Sequence, residues 1–84
     1  MNRKTKKAAE LDRLARVRRE FDTYSPSIRL TEPEAAAVLG QSPATLKFWR
    51  LNRPGKGPEA TKANGSVRYT VEAIRTYQHA GAAQ

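Results

Sequence analysis

Apolar residues near the start of the chain recur at helical spacing. Intervals of three and four residues separate Leu11, Leu14, Val17, Phe21 and Tyr24. This spacing predicts an amphipathic helix over residues 8–24 with one apolar seam. Residues 1–7 precede this helix and include Lys4, Lys6 and Lys7. They are expected to form a flexible basic tail that contacts a polyanion.

Two further helices are predicted by the residues that start and end them. Thr31 followed by Glu34 is a capping box, and Gly40 ends the helix that these residues start. Ser42 is a favourable N-cap for the next helix, with Pro43 at its first position. The short connection between the two helices is typical of a helix-turn-helix, although the spacing alone also fits a helical hairpin in a bundle.

A small β-hairpin is predicted after these helices, with strands at residues 59–62 and 66–69. Asn64-Gly65 between the strands is the strongest short-range signal for a hairpin turn. Val67 and Tyr69 share one face of the second strand, while Ser66 and Arg68 share the other. A last helix is expected to follow.

These elements predict a mainly α domain with a small β-hairpin over residues 30–78. Residues 25–30 interrupt the helical pattern before it, and residues 79–84 are expected to form a flexible tail. Thr70 is the expected cap of the last helix. The core residues expected from their spacing are Leu46, Trp49, Tyr69, Ile74 and Tyr77.

Charge then limits the class of partner. The 84 residues carry 16 Lys and Arg against 8 Asp and Glu, and this net charge of +8 predicts a polyanionic partner. Six of the bases lie between Lys47 and Arg68, where Glu59 is the only acid. No apolar run approaches the roughly 20 residues of a spanning helix, so a membrane partner is not expected.

Catalytic chemistry is not expected from these residues. The chain has no cysteine and one histidine, His79, so neither a thiolate site nor a histidine cluster can hold a metal. A nucleophile paired with a base and a phosphate-binding loop are also missing from the sequence. We therefore expect a binding protein without metal or cofactor rather than an enzyme.

Four segments together carry a resemblance to a known family. They are residues 30–36, 40–50, 57–58 and 67–69. In this order and spacing they are similar to the excisionase and AlpA-type members of the MerR-like winged helix-turn-helix superfamily. The resemblance covers a little over half of the chain. It implies a winged helix-turn-helix fold, to which this chain adds its N-terminal amphipathic helix.

The resemblance implies sequence-specific binding of double-stranded DNA by a cytoplasmic protein of a prokaryote. It further implies an excisionase-like recombination directionality factor that self-associates in tandem at attachment sites. Such a factor bends DNA and favours excision by an integrase, which is a tyrosine or serine recombinase. A small basic chain without a sensor domain fits this role. The alternative is a transcription regulator, either activator or repressor, of a phage, plasmid or integrative conjugative element.

The DNA contacts that this fold implies form two groups. In the second helix of the motif, the recognition helix, they are Ser42, Thr45, Lys47, Phe48 and Arg50. In the wing and its approaches they are Arg53, Lys56, Lys62, Asn64 and Arg68. Arg50 is a candidate for reading guanine, since arginine can donate two hydrogen bonds to that base. Ser42 is also needed as a cap, and Asn64 as a turn residue.

Phe48 departs from the family pattern, in which a basic or polar residue usually occupies this position. Its ring can contact a sugar or a thymine methyl group, or it can mark a surface for a protein partner. The sequence leaves both interpretations open. An RNA-binding protein fits the charge but not the hairpin, and an adaptor for a protein partner fits Phe48 and the apolar seam.

The seam of the first helix also leaves three uses open. It can pack on the rest of the domain and enlarge the core, or it can join a second copy of the chain. Alternatively, the helix itself can lie against DNA phosphates through its bases. Those bases are Arg13, Arg16, Arg18 and Arg19.

Overall fold

Residues 3–82 are described by a computed structural model, which contains four α-helices and a three-stranded antiparallel sheet. The helices are α1 (Arg3–Glu20), α2 (Glu32–Leu39), α3 (Pro43–Asn52) and α4 (Val71–Ala82), and a short 3₁₀ helix (Phe21–Thr23) follows α1. The strands are β1 (Arg29–Leu30), β2 (Thr61–Ala63) and β3 (Ser66–Thr70), in the order β1-β3-β2. The expected mainly α chain with a small β-hairpin is confirmed. No helix within residues 3–82 is both long and apolar enough to cross a membrane.

The predicted signals at the ends of α2 and α3 act as expected. The Glu34 carboxylate accepts a hydrogen bond from the Thr31 N–H at 2.8 Å, and the Thr31 hydroxyl accepts one from the Glu34 N–H at 3.3 Å. Gly40 ends α2 with a φ of 70°, in the left-handed region that favours glycine. Ser42 caps α3 by accepting from the Thr45 N–H at 3.1 Å.

The hairpin turn has the geometry that its two residues favour. Asn64 and Gly65 have φ values of 53° and 79°, and a two-residue turn with positive φ at both positions matches the twist of the strands. The turn pairs Ala63 with Ser66, and the β2–β3 ladder ends at Thr61 paired with Arg68. The first strand is therefore displaced from the expected residues 59–62.

Strand β1 was not predicted from the sequence. Leu30 pairs with Tyr69 and Arg29 with Thr70, so β1 takes the end of β3 that β2 leaves unpaired. The carbonyl oxygen of Ile28 accepts a hydrogen bond from the Val71 N–H at 2.9 Å. This contact satisfies one of the amide groups that a helix start leaves without an intrahelical partner. The segment that interrupts the helical pattern thus holds the start of α4.

The core joins residues from α1 to residues from every other helix. Its buried members are Val17, Phe21, Leu30, Ala35, Ala36, Leu46, Tyr69, Val71 and Ile74. Val17 and Phe21 come from the predicted seam, so the seam packs on the rest of the domain and enlarges its core. Leu11, at the other end of the seam, is 57% exposed. Two expected core residues, Trp49 and Tyr77, are half-buried, with ring centroids 6.5 Å apart.

Both terminal helices are longer than the sequence analysis suggested. Helix α1 begins at Arg3, so the expected tail over residues 1–7 is helical from that residue onward. Helix α4 continues to Ala82, through most of the expected tail over residues 79–84. Residues 1–2 and 83–84 lie outside the described part of the chain. Neither terminal stretch contains a proline, and alanine is the best helix former, so nothing local stops either helix at the expected boundary.

A single arginine fastens the end of α1 to α4. The Arg75 guanidinium donates to the carbonyl oxygens of Tyr24 at 2.9 Å and of Phe21 and Asp22 at 3.4 Å each. It also lies 5.5 Å from the centroid of the Phe21 ring. These carbonyl groups follow the last turn of α1, and that of Phe21 also accepts a hydrogen bond from the Tyr24 N–H at 3.0 Å. Arg75 therefore joins the segment after α1 to α4.

Arg75→Met is expected to loosen the docking of α1. Methionine keeps much of the aliphatic packing but provides no donor, so the free energy of unfolding should fall by about 1–2 kcal/mol. Urea unfolding followed by circular dichroism measures this loss. The matched control is Arg16→Met, since Arg16 is exposed on α1. Equal stability of the two variants would show that the contacts of Arg75 contribute nothing.

Candidate nucleic-acid interface

Helix α3 presents one face to solvent. The side chains of Ala44, Lys47, Phe48 and Leu51 are exposed on it, while Leu46 on the opposite face is fully buried. Exposed positions three and four residues apart lie on one side of a helix. Leu46 belongs to the core, so α3 packs on the rest of the domain along one side. Its other side is free for a partner.

A groove of about 610 Å³ separates α3 from the β2–β3 hairpin. Trp49 and Val67 contribute apolar surface to its lining, and Arg53, Glu59 and Lys62 contribute charge. Arg53 comes from the end of α3 and Lys62 from β2, so the fold brings together two bases that the sequence separates by nine positions. The groove therefore combines an apolar surface with net positive charge.

The connection from α3 to the hairpin packs tightly against Trp49. A Cβ atom on Gly57 would lie 2.9 Å from Cε3 of Trp49, which is closer than carbon atoms approach without displacement. Pro58 follows and is buried, and the Lys56 ammonium lies 5.5 Å from the centroid of the indole ring. The Gly57-Pro58 pair thus allows the chain to pass over the indole and enter the hairpin.

The carboxylate of Glu32 links α3 to α2 and β3. Arg50 Nε donates to Glu32 Oε2 at 3.1 Å, and Arg50 Nη2 donates to Oε1 at 3.3 Å. The Tyr69 hydroxyl donates to Oε2 at 2.7 Å. The side chains of Glu32 and Arg50 are only 15% and 23% exposed. A bidentate pair of this kind fixes orientation as well as distance.

This network changes the acidity of two of its members. Burial alone would raise the pKa of Glu32, but hydrogen bonds from Arg50 and Tyr69, together with nearby positive charge, outweigh it and hold the pKa below the ordinary 4.5. Burial and the adjacent Glu32 carboxylate raise the pKa of Tyr69 to about 12, although Arg50 acts in the opposite sense. Both groups therefore stay in the protonation states that maintain the network at neutral pH.

The residues of α3 that were predicted to contact DNA differ in their exposure and in whether they already bond within the chain. Lys47 and Phe48 are exposed, and Phe48 keeps 53% of its surface accessible. Ser42 is engaged as the cap, and its hydroxyl is also 2.9 Å from that of Thr45. The Arg50 guanidinium is held by Glu32, an intramolecular partner that the sequence did not reveal. Its assignment as a DNA contact stays a prediction, but its donors already serve the fold.

The expected contacts around the hairpin also differ in their surroundings. Arg53, Lys56 and Lys62 are exposed. Asn64 is exposed as well, and its positive φ shows that it serves the turn. Arg68 is half-buried, and its Nη1 donates to the carbonyl oxygen of Val67 at 2.8 Å. Three exposed bases thus surround the groove and its approaches.

Two residues of this surface were missed in the sequence. Leu51 is 60% exposed, and its position three residues after Phe48 could have placed both on one face of the helix. Glu32 gave no comparable signal, because its partners Arg50 and Tyr69 are 18 and 37 positions away. Only the tertiary packing brings these three residues together.

Among protein-family models and curated proteins, none matches this chain. The resemblance described above therefore depends on the residues of this chain alone. Several of those residues have structural roles, since Gly57 accommodates Trp49 and Tyr69 binds Glu32. The resemblance thus includes positions that shape the surface, whereas Phe48, which departs from the family pattern, is exposed.

Glu32→Gln is expected to destabilise the protein in a pH-dependent way. Because the folded pKa of Glu32 is lowered, its ionised form stabilises the folded state above pH 4.5, and this contribution is lost as the pH falls through the folded pKa. At neutral pH the substitution should lower the free energy of unfolding by about 1–3 kcal/mol. Urea unfolding at neutral and acidic pH should show the difference from wild type shrinking in acid.

The control for this experiment is Glu20→Gln. Glu20 is exposed at the end of α1, so we expect only a small change in stability at either pH. A difference between wild type and Glu32→Gln that persists unchanged in acid would contradict an ionic role for Glu32.

Proposed function

We propose that this protein binds double-stranded DNA as a winged helix-turn-helix. In this proposal α3 is the recognition helix in a major groove, and the β2–β3 hairpin is the wing that lies along the backbone. One observation carries it: helix α3, which has a free face, and the hairpin across the groove from it belong to a segment, residues 47–68, with six basic residues and one acid, Glu59. A surface of this charge attracts a polyanion.

The arrangement of charges suggests how the duplex is held. Lys47 projects from the free face of α3, while Arg53 and Lys62 line the groove beside it. These three bases are the proposed phosphate contacts, since lysine and arginine at the edges of such a surface neutralise the backbone. Arg50 would act indirectly, because its bond to Glu32 sets the position of α3.

We assign the protein an excisionase-like role on this basis. Several copies would bind in tandem beside an attachment site, self-associate on the DNA, bend it and favour excision by an integrase. The resemblance of residues 30–36, 40–50, 57–58 and 67–69 supports this assignment. A protein that bends DNA depends more on contacts to the DNA backbone than on a long series of contacts to nucleobases. This suits a basic surface with few polar side chains available to hydrogen-bond to nucleobases.

A binding experiment tests DNA recognition itself. Fluorescence anisotropy with a labelled DNA duplex, repeated over a range of salt concentrations, should give an affinity that falls linearly on logarithmic axes. An A-form RNA duplex of the same sequence is the comparison, and it should bind more weakly. Absence of DNA binding, or tighter binding of the RNA, would contradict the proposal.

Lys62→Gln and Glu59→Gln form a matched pair that tests the contact along the wing. Both residues line the groove and are exposed, and the substitutions change the charge in opposite directions. Lys62→Gln should weaken binding and reduce the salt slope by about 0.9, the value for one phosphate contact in B-DNA. Glu59→Gln should strengthen binding, since it removes the only acid of the segment. An unchanged slope for Lys62→Gln would remove Lys62 from the interface.

Footprinting separates recombination from transcription. The probe is the DNA around the gene for this protein and the nearest end of a mobile element. A long protected array of repeats beside an attachment site supports the excisionase-like role. A single short site over a promoter would instead identify a transcription regulator.

A further inference from the structure

The free face of α3 is more apolar than its surroundings. Among its exposed side chains, Phe48 is 53% and Leu51 60% accessible, and Ala44 lies one turn before Phe48. Lys47 is the only exposed charge on this helix, all of which the structure describes. Two large apolar side chains exposed three positions apart form a patch, and such patches tend to mark binding surfaces.

The polar groups of α3 are largely occupied within the chain. Arg50 is paired with Glu32, and the Ser42 hydroxyl caps the helix. The Asn52 side chain donates to the carbonyl oxygen of Phe48 at 3.2 Å. Hydrogen-bonded reading of base edges is usually done by arginine, lysine, asparagine or glutamine. On α3, Arg50 and Asn52 each already donate within the chain, and Lys47 is exposed without a hydrogen bond among the described residues.

We propose that Phe48 and Leu51 determine specificity by packing against the C5-methyl groups of thymines in the major groove. Thymine is the only unmodified base that presents a methyl group there, so an apolar helix face distinguishes it from the other three bases. This inference rests on the proposed DNA binding and defines the sequence class that α3 selects, which is rich in thymine at the positions it faces.

Charge complementarity favours DNA over an apolar protein surface as the occupant of this patch. Lys47 lies beside Phe48 on the same face of α3. A duplex offers methyl groups in the groove and phosphates at its edges, so it can contact the patch and the Lys47 ammonium together. A protein partner would have to combine an apolar centre with an acidic rim.

Replacement of thymine by deoxyuridine tests this contact directly. A preferred duplex is first selected from a random-sequence pool, and each thymine is then replaced singly, which removes the methyl group and keeps the base pair. The affinity of wild type should fall about fourfold for each methyl group in contact. For Phe48→Ala and Leu51→Ala the same replacements should have less effect, because the apolar partner of the methyl group is shorter or missing.

The matched control is Leu11→Ala. Leu11 is as exposed as the two patch residues but lies on α1, so its removal should leave the response to deoxyuridine unchanged. Phe48 and Leu51 are exposed, and circular dichroism should show that their alanine variants remain folded.

The outcomes separate this inference from the proposed function. If wild type binds no duplex, DNA binding itself is overturned. If wild type binds DNA but its affinity is the same with thymine and deoxyuridine, only the methyl contact is overturned. If Phe48→Ala and Leu51→Ala both keep the full response to deoxyuridine, the patch does not recognise the thymine methyl groups and is available to a protein partner.

Discussion

The carboxylate of Glu32 joins the three elements that form the candidate interface. It lies at the start of α2, accepts two hydrogen bonds from Arg50 on α3, and accepts a third from Tyr69 on β3. Helix α3 has little remaining freedom to move, because the turn capped by Ser42 fixes its start and the close packing of Gly57 on Trp49 fixes the segment that follows it. The free face of the helix therefore has a defined position relative to the hairpin.

A chain of 84 residues has little core with which to hold such a surface. Helix α1 and the 3₁₀ helix after it compensate by placing Val17 and Phe21 against the other helices, and Arg13 adds an ion pair to Glu34 at 2.8 Å. Arg75 completes this docking with its three carbonyl acceptors. Because the seam is used in this way, α1 belongs to the domain rather than being an independent arm, and its exposed bases move with the domain.

The parts of this fold that could be predicted are those encoded within a few neighbouring residues. The capping box of Thr31 and Glu34 and the Asn64-Gly65 turn depend on hydrogen bonds and φ values of adjacent positions. Strand β1 could not be predicted, because two residues give no period and the strand exists only through pairing with β3. The ends of α1 and α4 were misplaced, since charge and alanine content indicate exposure without marking where a helix stops.

The candidate site shows the same division. Exposure of Lys47 and Phe48 followed from their positions on a helix, but the engagement of Arg50 depends on a partner 18 positions away. Because Arg50 is paired with Glu32, the side chains left for a partner form two physically different parts of the candidate interface. In the proposed DNA complex, the basic residues around the groove would act through charge and be screened by salt, whereas Phe48 and Leu51 would act through apolar contact and would not be screened. Affinity and sequence preference would therefore respond to different conditions and substitutions, even though a single helix and hairpin carry both.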